Sequence, residues 1–223
     1  MRTQPQDVIA KLEADNSRLA KEKILLDAMN EGLDEFFEGL KMCLDKLYTF
    51  GVKQVPTKDE VVAGQGCPWN VFKDLAEKLY NRELTGHNAR DAINLVMSSA
   101  TAEQWNGFYR RILIKDLRCG VSEKTVNSVA KKNKFGKYMV PVFTCQLAHD
   151  SANHEKKLVG KKMLEVKLDG VRTLAIVHPD GKVDMLSRNG KEFTNFGHIQ
   201  DEISAVVKQD PPPYPLVLSL IHI

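Results

Sequence analysis

Apolar positions between residues 6 and 50 recur at steps of three and four: Leu26, Met29, Leu33, Phe36, Leu40, Leu44 and Leu47. That spacing gathers one apolar face on an α-helix and predicts a helical, core-forming N-terminal stretch. Residues 51–70, GVKQVPTKDEVVAGQGCPWN, carry Gly, Pro and Asn punctuation and read as a loop. Val71, Leu75 and Leu79 predict a helix over 70–82. Two more follow, one opening near Thr85 and one after Thr101, and Ser122 is placed to cap a further helix, EKTVNSVAKK.

The pattern changes near residue 139. KYMVPVFTCQLA is extended and interrupted by proline, and the hydrophobic period after it shortens to two. In KKMLEVKLDGVRTLAIV, residues 161–177, Leu164, Val166 and Leu168 alternate, which sets Met163, Glu165 and Lys167 on the opposite face of a strand. RTLAIVHPDGKVDMLSR reads as a hairpin turning at Pro179-Asp180-Gly181. A helix is predicted over 196–208, before a DPPPYP loop that no regular element can cross. The fold class is therefore multi-domain. An all-α domain occupies 1–138, and 139–217 begins an α+β domain with an antiparallel sheet.

Composition changes this picture little: 43% hydrophobic and 27% charged residues fit a soluble globular protein. The polar N-terminus has no apolar core of a signal peptide, and no apolar run approaches a membrane span. Cys43, Cys67, Cys119 and Cys145 lie too far apart for a zinc or redox pair and read as reduced intracellular thiols. Charge distribution is more informative than the net +3. Residues 105–138 hold nine cations (Arg110, Arg111, Lys115, Arg118, Lys124, Lys131, Lys132, Lys134, Lys137) against Asp116 and Glu123, a local net of +7. Taken alone, such a run is commonly just a solvated face.

The strand at 161–168 poses the chemical question. Glu165 and Lys167 share a face, the chain breaks at Asp169-Gly170, and Arg172 follows. An exposed edge strand carrying an ion pair is one reading. The other is a nucleophilic lysine, its amine kept reactive by neighbouring cations; Lys161, Lys162 and Arg172 would supply that field and also bind phosphate. LVGKK lacks the spaced glycine and the Ser or Thr of a P-loop, and no G-x-G-x-x-G follows a strand.

EVKLDGVR resembles motif I of the covalent nucleotidyltransferases, which comprise ATP-dependent DNA ligases, RNA ligases and mRNA capping enzymes. LSRNG resembles the next ligase motif at the usual distance. RRILIKDLRCGVSEKTVNSV is similar to part of the helical DNA-binding domain that precedes catalysis in ATP-dependent DNA ligases of the phage and bacterial type. The resemblance implies that Lys167 attacks the α-phosphate of ATP and carries AMP as a phosphoramidate. It implies that Glu165 holds the adenine amino group and that Arg172 and Arg188 contact ribose or phosphate, with Mg2+ assisting. AMP would pass to a DNA 5′-phosphate and be displaced by a 3′-hydroxyl, sealing a nick during replication, repair or recombination. Asp169 and Gly170 would shape the turn beneath the nucleotide. In that context the basic region (Arg110, Arg111, Lys115, Arg118, Lys124, Lys131, Lys132) is expected to contact DNA phosphates without reading bases. A monomer in the cytoplasm of a bacterium or phage-infected cell is implied. The alternatives are an RNA ligase or capping-type enzyme, and a DNA-binding module without catalysis.

The sequence departs from the family pattern at its end. In ligases a strand like YPLVL leads into Asp-Gly-Glu, whose glutamate binds metal and nucleotide. Here LSLIHI, residues 218–223, follows instead. It translates CTGTCTCTTATACACATC, a transposon end used in sequencing adapters, and reads as a non-native tail with Leu218 ambiguous. The expected metal ligand would lie beyond it, and the 223-residue chain is expected to be an inactive fragment.

Overall fold

The computed structural model describes residues 3–59, 64–145, 151–162 and 169–222. It forms two compact units, Met1–Val142 and Phe143–Ile223. The predicted strand at 163–168, with Glu165 and Lys167, lies outside the described residues.

The first unit is helical. The long N-terminal apolar pattern divides into three helices: α1 Pro5–Ala14, α2 Arg18–Asn30 and α3 Asp34–Leu44. Pro5 starts α1 with its φ already helical, and the Gln4 N–H donates to Asp7 Oδ2 at 3.0 Å. Gly32 ends α2: with φ +68° it takes the left-handed conformation of a terminating residue, and the Leu33 N–H reaches back to Ala28 O. Helices α4 (Trp69–Tyr80) and α5 (Gly86–Ser99) follow, α5 with Thr85 before it. Thr101 caps the next turn through Gln104 N at 3.1 Å, while the Gln104 side chain accepts from Thr101 N at 3.3 Å. From there α6 (Ala102–Gln104), a π-helical turn (Trp105–Tyr109) and α7 (Arg110–Leu113) run on continuously. Ser122 caps α8 (Glu123–Lys132), and its oxygen accepts from Thr125 N.

The π turn is the centre of the core. Trp105 and Phe108 are fully buried, and Tyr109 stacks on Phe72 of α4 at 4.3 Å. Trp105 Nε1 donates to Pro56 O at 2.8 Å, and the Tyr109 hydroxyl to Cys67 O at 2.8 Å. Both bonds hold the 51–70 loop onto the helices. So does Lys58, only 5% exposed, which donates to Met97, Ser98 and Ala100 carbonyls at the end of α5. Buried carbonyls left without donors are costly, so this lysine is a C-terminal cap reached from outside the helix.

The second unit is an antiparallel sheet of order β2-β1-β3 with one helix. Strand β1 (Val171–Val177) pairs with β2 (Val183–Ser187) from Thr173↔Ser187 to Val177↔Val183. The turn between them is closed by Gly181 N to His178 O at 2.9 Å, with Gly181 at φ +86°. That conformation favours glycine and leaves the right-handed twist of the hairpin intact. Strand β3 (Leu216–His222) pairs along the other edge of β1, from Val177↔Leu216 to Val171↔His222. The residues set apart in the sequence, 218–222, join this pairing through their backbone. Helix α9 (Gly197–Gln209) lays Ile199, Ile203 and Val207 on Ala175, Val177, Val183 and Met185. No helix among the described residues is long and apolar enough to cross a membrane.

Candidate functional site

Register decides what stands beside the predicted nucleophile segment. Asp169 and Gly170 precede β1 directly, so the chain arrives from Lys167 at the Val171 end of the strand. Thr173 pairs with Ser187; Arg172 lies one residue further out on β1, and Arg188 begins the turn that follows β2. Two arginines that are sixteen positions apart in sequence are thereby brought to one end of the sheet. The Arg172 Nε donates to Ser219 Oγ at 3.0 Å, while Arg188 is exposed and its carbonyl accepts from Cys145 Sγ at 3.6 Å. Thr173, on the opposite face of β1, has its Oγ1 buried without a hydrogen-bond partner among the described residues. Gly190 (φ +83°) closes the turn after Arg188, and a Cβ there would come within 2.5 Å of Phe143. The turn therefore needs glycine twice over.

Two guanidinium groups at one end of a sheet have the charge and geometry to receive a phosphate. No group of three or more His, Cys, Asp or Glu side chains gathers to hold a metal ion among the described residues. Glu165 and Lys167, the other two expected members of the site, lie outside them.

The basic stretch of the first unit divides in two. Its first three cations serve the fold. Arg110 Nε donates to Val55 O at 3.0 Å. Arg111 donates to Asn106 O and Leu117 O and pairs with Glu13 at 2.9 Å. Lys115 places its ammonium on Met42 O and Asp45 O, both at 2.6 Å, capping α3. Burial pushes its pKa down, while Cys43 and Asp45 act in the opposite sense. Each of the three is anchored to backbone carbonyls, and Arg111 and Lys115 are mostly enclosed.

The remaining cations point to water. Arg118, Lys124, Lys131, Lys132 and Lys134 are exposed, Arg118 with Asp116 at 3.6 Å, and the sixth, Lys137, is exposed and paired with Asp34 at 2.9 Å. Lys115, Arg118 and Lys134 all have positive φ (59°, 54° and 62°). The Phe135 N–H reaches Ala130 O at 2.8 Å and fixes the Lys134 turn at the end of α8. A left-handed residue other than glycine costs about 1 kcal/mol. Here it ends the helices sharply and keeps a cation on each turn.

A third feature was not apparent in the sequence. Between the 53–56 loop, α5 and α7 lies a cleft of about 570 Å³, with Lys53, Arg90 and Arg110 among its lining residues.

Residues 144–214 match the family model described as "ATP dependent DNA ligase domain". Over 98% of its length the chain is similar to two solved structures, "Pmar-Lig_Pre." (59% identity, TM-score 0.84) and "Pmar-Lig_PreS3" (60% identity, TM-score 0.85). It spans half the length of each of those chains. No curated protein matches it. The matched residues contain the K-x-D-G-x-R segment and the sheet end that carries Arg172 and Arg188, while the likeness to the solved structures takes in the helical unit as well. The chain belongs to the ATP-dependent DNA ligase family.

Proposed function

We propose that this chain supplies the DNA-binding and nucleotide-attachment parts of an enzyme that seals nicks in duplex DNA. The observation that carries the reading is the family match over 144–214, which encloses Lys167 within its K-x-D-G-x-R context. In the first step the neutral Lys167 amine attacks the α-phosphorus of ATP. A P–N bond forms, the bond to the bridging oxygen breaks, and pyrophosphate leaves; the amine's proton goes to solvent. Glu165 accepts from the adenine amino group, which orients the base. Arg172 and Arg188 stabilise the charge that builds on the phosphate oxygens. AMP then passes to the 5′-phosphate of a nick, and the 3′-hydroxyl attacks that phosphate and expels AMP. A magnesium ion, when bound, would supply charge neutralisation on the polyphosphate. The exposed cations of α8 and its flanking turns, Arg118, Lys124, Lys131 and Lys132, hold the duplex by its phosphates. The complete reaction is proposed for a full-length form. The 223-residue chain by itself is inactive in this reading.

The test joins the chain to the other half of one of the similar solved ligases and incubates the product with α-labelled ATP and magnesium. Covalent, acid-labile label is expected. Lys167→Ala abolishes it and Lys162→Ala does not. Label that survives Lys167→Ala would overturn the assignment.

A further inference from the structure

The cleft between the 53–56 loop, α5 and α7 has the chemistry of a phosphate seat. Lys53 and Arg90 are exposed, and neither has a carboxylate partner among the described residues. Arg110 is fixed by its Nε on Val55 O, which directs its guanidinium from a defined point on the wall. Gln54 and Asn94 add neutral amides, and among the described residues the lining contains no acid. The loop forming one side is held in place. Trp105 Nε1 grips Pro56 O, and the Asn106 side chain exchanges two hydrogen bonds with the Lys58 backbone at 3.0 and 2.7 Å. With its carbonyls tied to the helices, the loop keeps Lys53 and Gln54 on its outer side at little cost in conformational freedom.

Three cations from segments about twenty to forty residues apart, with no compensating acid, repel one another unless an anion sits between them. We propose that this cleft binds a phosphodiester of the duplex backbone through Lys53 and Arg90. It would form a second contact, on elements that do not include α8. The inference rests on the reading of the helical unit as DNA-binding and extends it to two residues outside the basic stretch.

Fluorescence anisotropy of a labelled nicked duplex with the 223-residue chain tests it, over about 50 to 200 mM salt. Lys53→Gln combined with Arg90→Gln should make the log–log salt dependence shallower by about 0.9, the value for one phosphate contact. The melting temperature should not change, because neither side chain holds the fold. Charge-preserving Lys53→Arg with Arg90→Lys should keep the wild-type slope. If the wild type binds with a steep slope and the double glutamine variant matches it, the cleft is not a duplex contact, while DNA binding by the unit stands. If the wild type shows no salt-dependent binding, the DNA-binding reading fails and the cleft proposal fails with it. Calorimetry with inorganic pyrophosphate separates the other phosphate source. Pyrophosphate binding lost in the double variant, with duplex binding untouched, would assign the cleft to a free polyphosphate and overturn the proposal.

Discussion

Replacing Lys115 by Met tests whether the basic stretch really divides into structural and DNA-facing cations. The substitution keeps the apolar stem and removes the ammonium, leaving Met42 O and Asp45 O without their donor. Each hydrogen bond to a charged group contributes about 1.5–3 kcal/mol. Part of that is recovered, because the variant no longer buries a charge whose pKa is lowered by desolvation. A net loss of about 2–4 kcal/mol follows. At about 2–4 °C per kcal/mol for a chain of this size, the melting temperature should fall by about 5–15 °C. The control is Lys131→Gln with Lys132→Gln, two exposed residues of α8 with no partner among the described residues. Their removal should alter stability by less than about 0.5 kcal/mol and make the salt dependence of duplex binding shallower by about 1.8. Calorimetry and anisotropy on the same preparations separate the two effects. A Lys115→Met protein that melts like the wild type, yet loses as much salt dependence as the α8 pair, would refute the division.

Two further outcomes concern stability. Burial raises the Cys43 thiol from 9.0 to about 12. Because the folded value lies above the unfolded one, its stabilisation is complete below pH 9 and is lost as pH rises towards 12, at about 1.4 kcal/mol per pH unit. Urea unfolding between pH 9 and 11 should show this slope, and Cys43→Ala should flatten it by that amount; an unchanged slope would count against the buried thiol. Gly39→Ala should destabilise, because a Cβ there meets Phe108 Cζ at 2.5 Å and Ile112 Cδ1 at 2.6 Å. Overpacking of about 1–3 kcal/mol outweighs the gain of at most about 1 kcal/mol in helix propensity, so a stabilised variant would show that α3 and α7 pack more loosely than described.

Local chemistry was legible in the sequence wherever a single residue decides it. Thr101 and Ser122 cap the helices that follow them, and Gly181 closes the hairpin, because each acts within four residues of itself. The N-terminal stretch was read as one helical run because Leu33 continues the spacing, yet it sits in the break between α2 and α3 and is buried there. Periodicity cannot distinguish a buried linker residue from a helical one. The roles of Arg111, Lys115 and Lys58 were illegible for a different reason. Apart from Glu13, their partners are carbonyls 5 to 73 positions away, and a carbonyl leaves no mark in a sequence. At the candidate site, motif resemblance points to Arg172 and Arg188. Their arrival at one sheet end follows only from the strand register.

The bonds that close the helical unit also bear on how it can be made. Arg111 reaches Glu13, Lys21 reaches Cys119 O, and Tyr138 reaches Asp34, so the first helices are completed by the last. A chain emerging from the ribosome holds α1 to α3 without those partners until nearly 140 residues have been synthesised. At about 5–20 residues per second, that is several seconds to nearly half a minute in which the apolar faces of these helices are uncovered. Fast, local helix formation cannot shorten the interval, because the contacts that reward it are distant in the chain. The unit gains the resistance to fraying of a closed ring, and during synthesis it has a period of exposure in which a chaperone would have to protect it.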